Sequence, residues 1–395
     1  MRQRKLLLLN GGHSEIPLIV EAKKLGWYVI TTGNKQTGIG HIYANENIFG
    51  DYSNIDLMYE IAKHQNVDAI VSCCNDFGII TASYISEKLK LSGHDPFDIT
   101  CKLHHKDTFR KLTAKYSIHA PCARDFHSRE EAYATIGFWE YPIIIKPIDL
   151  SSGVGISTVK LEGDFFSAVN KAFDMTRAGT IVIEPFIEGT AHSFSTFIIN
   201  QKVVAYFSDN EYSYKNPFMI SSSAGPATDI DKVKNILIND IEKLSYELNL
   251  VDGIVHAQYI LSENIPYILE ITRRCSGDLY SVPVEYARDL PWAEMIVRAE
   301  TGMIEKEFYK FHEPQRLGGR HCIMGDRNGV VKDVIISNEI KDNIYKELLW
   351  WKPGFTIKNY LIDKLGILFL KFSEEKEMLD KINRINELVK VAYEN

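Results

Sequence analysis

Apolar residues in the first hundred positions fall into short runs, and the stretches between them carry apolar residues at helical spacing. The pattern predicts strands at Lys5 to Leu9, Tyr28 to Thr31 and Ala69 to Ser72. Helices are expected between and after them, at Ile16 to Leu25, Ile55 to His64 and Gly78 to Leu89. Buried runs alternating with amphipathic helices are how a parallel sheet of βαβ units is written. Directly after the first strand comes a glycine turn, Asn10-Gly11-Gly12-His13, where ligands bind in doubly wound sheets. It lacks the GxGxxG spacing, so a dinucleotide site is weakly supported.

From about Leu103 to Met303 the pattern shifts to β-rich stretches with fewer helices, such as Tyr141 to Lys146, Ile181 to Pro185, Ser193 to Ile199 and Val203 to Ser208. An α+β unit is expected there. Beyond about Glu305, strands are expected at Gly318 to Met324, Val330 to Ile336 and Gly366 to Phe372, with helices near Glu339 to Leu349 and over Glu374 to Ala392. This last piece reads as a small lid or cap packed on the middle. No internal repeat or low-complexity tract interrupts the chain.

A chain of 395 residues, 45% of them hydrophobic, has room for two or three packed units. A formal charge of -7 argues against a nucleic-acid footprint, which needs a basic domain or stripe, and favours a small partner. The six cysteines lie scattered with no CxxC pair, which suggests neither a zinc site nor a disulfide framework and fits a reducing compartment. The basic start Met1-Arg-Gln-Arg-Lys5 leads into Leu6 to Leu9, an apolar run too short for a signal peptide; no stretch approaches the length needed to cross a bilayer. A cytoplasmic protein without membrane contact is expected. The 20 tyrosines and 19 phenylalanines are scattered as packing residues are, without a stacking platform.

Three segments carry candidate chemistry. In the first, the apolar strand from Tyr141 delivers Lys146 and runs into the Ser/Gly loop Ser151-Ser152-Gly153-Val154-Gly155. Amides of such a loop can wrap phosphate oxygens while the lysine supplies a point charge; a hairpin turn with an exposed lysine is the plainer alternative. The second, Ile181-Val-Ile-Glu184-Pro185-Phe186-Ile187-Glu188-Gly189, is a strand that ends in a carboxylate and passes into an extended linker. Its backbone could pair with adenine and Glu188 could meet ribose, although alone it looks like an ordinary strand exit. The third is a pair of strands bearing Gln258 on one and Glu270, Thr272 and Arg274 on the other. Alternate residues share a face, so an acid sits beside an arginine as a Mg²⁺ ligand beside an anion clamp would. A structural Glu270–Arg274 salt bridge is the alternative. Arg273 is expected on the opposite face. His13, Ser14, Glu15, Asn75, Asp76 and Ser221 to Gly225 are further candidate lining groups, and His256 reads first as a satisfied core histidine.

In this order and spacing the segments resemble the ATP-grasp superfamily over essentially the whole chain, most closely its carboxylate-amine ligase branch. That branch includes biotin carboxylase, purine-pathway ribonucleotide ligases and L-amino-acid ligases. The resemblance implies a Rossmann-like pre-ATP-grasp α/β domain over 1–102, a two-lobed α+β ATP-grasp domain over 103–304 and a C-terminal lid over 305–395. His105-Lys106-Asp-Thr-Phe-Arg110-Lys111 looks like the helix with the family's first phosphate lysine, implying that role for Lys106. Lys146 then goes to the α/β-phosphates, Ser152, Gly153 and Gly155 to the phosphate loop, Glu184, Phe186 and Ile187 to adenine, and Glu188 to ribose. Glu270-Ile-Thr272-Arg273-Arg274-Cys-Ser276-Gly277 looks like E-x-N-x-R-x-G-G with two substitutions, and its extension through Asp278 and Leu279 looks most like the amino-acid ligases. Glu270 becomes the principal metal carboxylate, with Gln258 and Thr272 beside it, and Arg274 the group holding the acyl phosphate or carboxylate. The implied cofactors are ATP and one or two Mg²⁺, with Mn²⁺ an alternative ion. The implied partners are a small carboxylate and an amine, and a homodimer is admitted. Gln258 stands where the family usually has a second acid, Thr272 where it has asparagine and Ser276 where it has glycine. Those departures keep two other functions open: an ATP-binding regulatory protein with a weakened metal site, and a phosphotransferase acting on a small carboxylate.

Overall fold

The structure is a computed structural model that describes residues 2–150, 153–304 and 315–394. Its first sheet contains β1 (Lys5–Leu8), β2 (Tyr28–Thr31), β3 (Glu46–Asn47) and β4 (Ala69–Val71), parallel and in the order β3-β2-β1-β4. Side chains alternate across a strand, so one run of leucines serves two cores. Leu6 and Leu8 pack with the helix Ile16–Lys24 and with Trp292 and Ile296 of the helix Trp292–Glu300, whereas Leu7 and Leu9 pack with Met58, Ala62 and Ile85 of the helices Ile55–Gln65 and Asp76–Leu89. The helix Ile55–Gln65 begins where Asn54 accepts from the Leu57 N–H, and stops at Asn66 in the left-handed region (φ 51°).

A smaller antiparallel sheet follows, made of β5 (Arg124–Phe126), β6 (Ile143–Pro147), β7 (Ser157–Val159) and β8 (Ile181–Pro185) in the order β5-β8-β6-β7. Ile143 and Ile145 face a core with Phe165, Val169 and Ala172 of the helix Phe165–Met175, which turns Ile144 and Lys146 to the other face.

The remaining strands are β9 (Thr190–Ile199), β10 (Lys202–Tyr212), β11 (Ser222–Gly225), β12 (Gly253–Ser262), β13 (Ile265–Thr272), β14 (Leu317–Met324), β15 (Gly329–Ile336), β16 (Ile344–Leu349), β17 (Thr356–Ile357), β18 (Lys364–Phe372) and β19 (Val389–Tyr393). Eight of them form one sheet in the order β13-β12-β9-β10-β11-β14-β18-β16; β15 sits between β17 and β19 in a separate one. Phe194, Val255 and Tyr259 on one face of the large sheet are covered by Val233, Leu237 and Ile241 of the helix Ile230–Glu247. The chain beyond 315 is therefore not a separate cap, because β14, β18 and β16 extend the sheet begun by β9 to β13. Of the two helices expected there, the first is largely strand and the second is helical up to Leu388 and strand only at its end. The stretch from Glu339 is one turn, Asn338–Lys341, followed by β16, and the stretch to Ala392 is the helices Glu375–Asn383 and Ile385–Leu388 followed by β19.

Candidate active site

A cavity of about 510 Å³ lies between the small sheet and the large one, within the size range of small-molecule and cofactor pockets. Ile144 and Lys146 of β6 form one wall, and Gln258 of β12 and Glu270 of β13 the other; Lys106, Gly153 and the linker Phe186 to Glu188 also line it. The structure thus gathers Lys106, Lys146, Gly153, Glu184, Phe186, Ile187, Glu188, Gln258 and Glu270 around one cleft. Ser152 lies outside the described residues, and Gly155 is a packing position whose added Cβ would meet Pro147 Cγ at 2.6 Å, at φ +75°. Gly153, at φ +76°, would push a Cβ to 2.3 Å from that of Phe218, so only glycine lets this loop close against Phe218.

The cationic wall of the cleft is internally paired. Glu184 accepts from Lys146 Nζ and from Arg110 Nε, each at 2.9 Å, and is fully buried. The Glu184 side chain is thus committed to an ion triad, while Glu184, Phe186 and Ile187 all line the cleft. Burial alone would push the Glu184 carboxyl up, but Arg110 and then Lys146 overrule it and hold it at about 2. Burial lowers the Lys146 ammonium, opposed by Glu184. Arg110 lies one helical turn after Lys106 in the helix Lys106–Lys115, so the two share a face, a spacing that could have flagged it from sequence. Its Nη1 and Nη2 are buried without a partner among the described residues. Lys106 closes the loop after β6 by donating from Nζ to the Leu150 carbonyl at 2.7 Å.

Glu270 reaches the cleft because of an irregularity in β13. Tyr259 pairs with Ile268 but Gln258 pairs with Glu270, so Leu269 is an extra residue, a β-bulge. Ile268 and Ile271 lie in the core under the helix Ile230–Glu247, and strict alternation from Ile268 would have sent Glu270 there too. The bulge turns it out beside Gln258. Among the described residues the Glu270 carboxylate makes no hydrogen bond or ion pair. Gln258 donates from Nε2 to both carboxylate oxygens of Glu211 on β10, at 2.9 and 3.1 Å, so its amide nitrogen rather than its oxygen is engaged. Burial, then Asp209, push the Glu211 carboxyl up to about 8. Thr272 does not line this cleft; it is 4% exposed, and its Oγ1 has no partner. No group of three or more His, Cys, Asp or Glu among the described residues forms a ready metal cage.

Glu211, Gln258 and Glu270 also line a second cavity of about 190 Å³, which holds Thr272, Arg274, Arg320 and Lys364. Arg274 does not pair with Glu270. Its Nε donates to Asp76 Oδ1 at 2.8 Å, and its Nη1 to the Cys275 carbonyl at 3.0 Å. Burial would raise the Asp76 carboxyl, yet Arg274 and the nearby His104 hold it well below the usual range. Arg273 turns away as expected, its Nε on Asp95 at 2.7 Å. Asp278, at φ 55°, ties the segments around the cavity together. It accepts from Lys364 Nζ at 2.6 Å, lies 3.4 Å from His13 Nε2, and donates its own N–H to the Ser14 hydroxyl at 2.9 Å. Arg320 Nη1 donates to the Gly277 and Asp278 carbonyls, both at 2.8 Å. His256 is buried with Nδ1 on the Ser195 hydroxyl at 2.5 Å, a satisfied core histidine that also lines this cavity. Glu211, Arg320 and Lys364 are not visible as site residues from sequence patterning. The two acids of Asp209-Asn-Glu211 at the end of an apolar strand were the available sign for the first.

Residues 105–278 match the family described as ATP-grasp domain. The chain carries an ATP-grasp domain. Its cleft between the small and large sheets falls inside the matched residues. Phosphoribosylamine–glycine ligase of Methanosphaera stadtmanae is 22% identical over 93% of this chain and 90% of its own length. The fold is shared with L-amino acid ligase from Bacillus licheniformis, at TM-score 0.81 and 17% identity with both chains fully covered. It is shared also with the biotin carboxylase domain of Hydrogenobacter thermophilus 2-oxoglutarate carboxylase, at TM-score 0.77 and 14% identity, covering 98% of this chain and 90% of that one. That structure holds MgADP and bicarbonate. No helix among the described residues is long and apolar enough to cross a membrane.

Proposed function

We propose that the chain is an ADP-forming ligase that activates a small carboxylate with Mg-ATP and joins it to an amine. The observation that carries this reading is the shared wall: Glu211, Gln258 and Glu270 border both the nucleotide-sized cleft and the smaller cavity with its arginines. A nucleotide lying in the first with its phosphates toward Lys106 and Lys146 would end where a substrate in the second begins. The residues fit a hard cation, since Glu270 is an unpartnered carboxylate and Mg²⁺ is commonly held by one or two carboxylates plus substrate phosphates. When bound, Mg²⁺ would neutralise phosphate charge during transfer.

In this reading Lys106 and Lys146 position the phosphates, the Phe186 to Glu188 linker holds the base and ribose, and Arg274 orients the substrate carboxylate for attack on the terminal phosphorus. Asp76 fixes the Arg274 guanidinium in place. An amine then displaces phosphate from the acyl phosphate, and water must be kept from that intermediate until it does. A screen of carboxylic acids for ADP release, with and without amines, followed by mass spectrometry of products, tests the proposal. Amine-dependent release of ADP and phosphate with a new amide supports it. Nucleotide binding without substrate-dependent ADP release would favour the regulatory reading, and a phosphorylated product that persists with amine the phosphotransferase.

A further inference from the structure

Where a strand position that should carry an acid carries an amide, the charge for a metal must come from elsewhere or be missing. Gln258 is that position, and its amide hydrogens point at a carboxylate two strands away, Glu211 of β10, across β9. Several enclosed carboxylates here meet a fixed cation: Glu184 has Arg110 and Lys146, Asp95 has Arg273, Asp76 has Arg274 and Asp278 has Lys364. Glu211 and Glu270 have none among the described residues, and they flank Gln258 from either side on the same stretch of wall. Two carboxylates at one junction, neither in an ion pair, favour a proton or a cation between them. An independent sign is Thr272, only 4% exposed, whose hydroxyl has no partner and which lines the same cavity.

We infer that Glu211 supplies the second acid of the divalent-cation site, in place of the residue at 258, so that the ion sits between Glu211 and Glu270 with the Gln258 amide as their bridge. The inference rests on the nucleotide reading above, and it moves one ligand of that site from β12 to β10. Gln258 then acts as a positioning residue, because its side chain holds the Glu211 carboxylate toward Glu270 while the ion is absent.

The test measures Mn²⁺ binding to the whole chain in the presence of ADP, by electron paramagnetic resonance, and ADP binding in chelator by calorimetry. Glu211→Gln should weaken Mn²⁺ at least tenfold while metal-free ADP affinity stays within twofold. Placing the acid back at 258, in Glu211→Gln/Gln258→Glu, should return Mn²⁺ affinity to within a few-fold of the parent. Glu211→Asp, which keeps the charge but shortens the reach, should fall between and serves if the glutamine variant does not fold. Unchanged Mn²⁺ affinity in Glu211→Gln or Glu211→Asp overturns the inference, as does a double variant no better than the single one. Failure of the parent to bind ADP even in chelator would instead bring down the nucleotide reading itself, and this inference with it.

Discussion

At the scale of single residues, the cleft depends on Glu184 as much as on the lysine it holds. Replacing Glu184 by glutamine leaves Arg110 and Lys146 buried without an anion, so a loss of about 3–5 kcal/mol in denaturant melts is expected, the range for breaking a buried pair. The pH behaviour has a definite sign. A carboxyl held at about 2 when folded and near 4.5 when unfolded gives stability that is complete above 4.5 and drains away as pH falls toward 2. Parent and glutamine variant should therefore converge in melting temperature as the medium is acidified through that window. Lys146→Met is the complementary change. Glu184 keeps Arg110, so the fold should suffer less than in Glu184→Gln, yet ADP affinity should drop by about tenfold or more for the loss of one phosphate contact, readable by calorimetry. Lys146 was legible in the sequence because it stands at the end of an apolar strand, where the period of two fixes its face; Glu270 was legible as an acid near a strand end, but the bulge that turns it outward was not. The partners were not legible: Asp76 lies far from Arg274 along the chain, and nothing local announces that the two meet.

Among elements, the bulge at Leu269 decides what β13 presents. Deleting Leu269 would make Ile268 and Glu270 chain neighbours on opposite faces of a regular ladder, which keeps Ile268 in the core and Glu270 beside Gln258. Both the deletion and Leu269→Ala should therefore keep Mn²⁺ affinity within a few-fold of the parent, read by electron paramagnetic resonance; loss of the metal in the deletion alone would show that the bulge itself, and not only the face of Glu270, shapes the site. Strands with continuous β-branched runs, such as Ile181–Pro185, and the first amphipathic helices lie where their periodicity placed them. The stretch ending at Ala392 does not. Its last residues, Val389 to Tyr393, pair with β15, and that ladder outweighs a helical pattern that breaks off after Asn383.

For the molecule as a whole, the first sheet is tied to the rest through a buried acid. Glu300, at the end of the helix Trp292–Glu300, accepts from the Ser72 N–H at 2.5 Å and the Ser72 hydroxyl at 2.9 Å just past β4. Burial pushes this carboxyl up to about 8, so the folded chain holds a proton that the unfolded chain releases above about 4.5. Stability from this group is full at acid pH and declines by up to about 1.4 kcal/mol per pH unit as the pH rises toward 8. Glu300→Gln keeps an acceptor without a charge, so its melting temperature should gain on the parent's between pH 5 and pH 8; parallel curves would mean that the carboxylate is compensated. The α/β beginning and the β-rich middle were both visible in the alternation of apolar runs. That the chain past 315 joins the middle was not, because a strand's neighbours in a sheet leave no mark on its own periodicity. The join restricts how the gene can be cut. A fragment ending at residue 304 would strip β14 from β11 and leave Ser222–Gly225 as a raw edge of unpaired amides, inviting other copies to dock there. Anyone seeking a minimal nucleotide-binding piece, or grafting a relative's carboxyl-terminal portion for new specificity, will have to exchange whole ladders rather than snip at a linker.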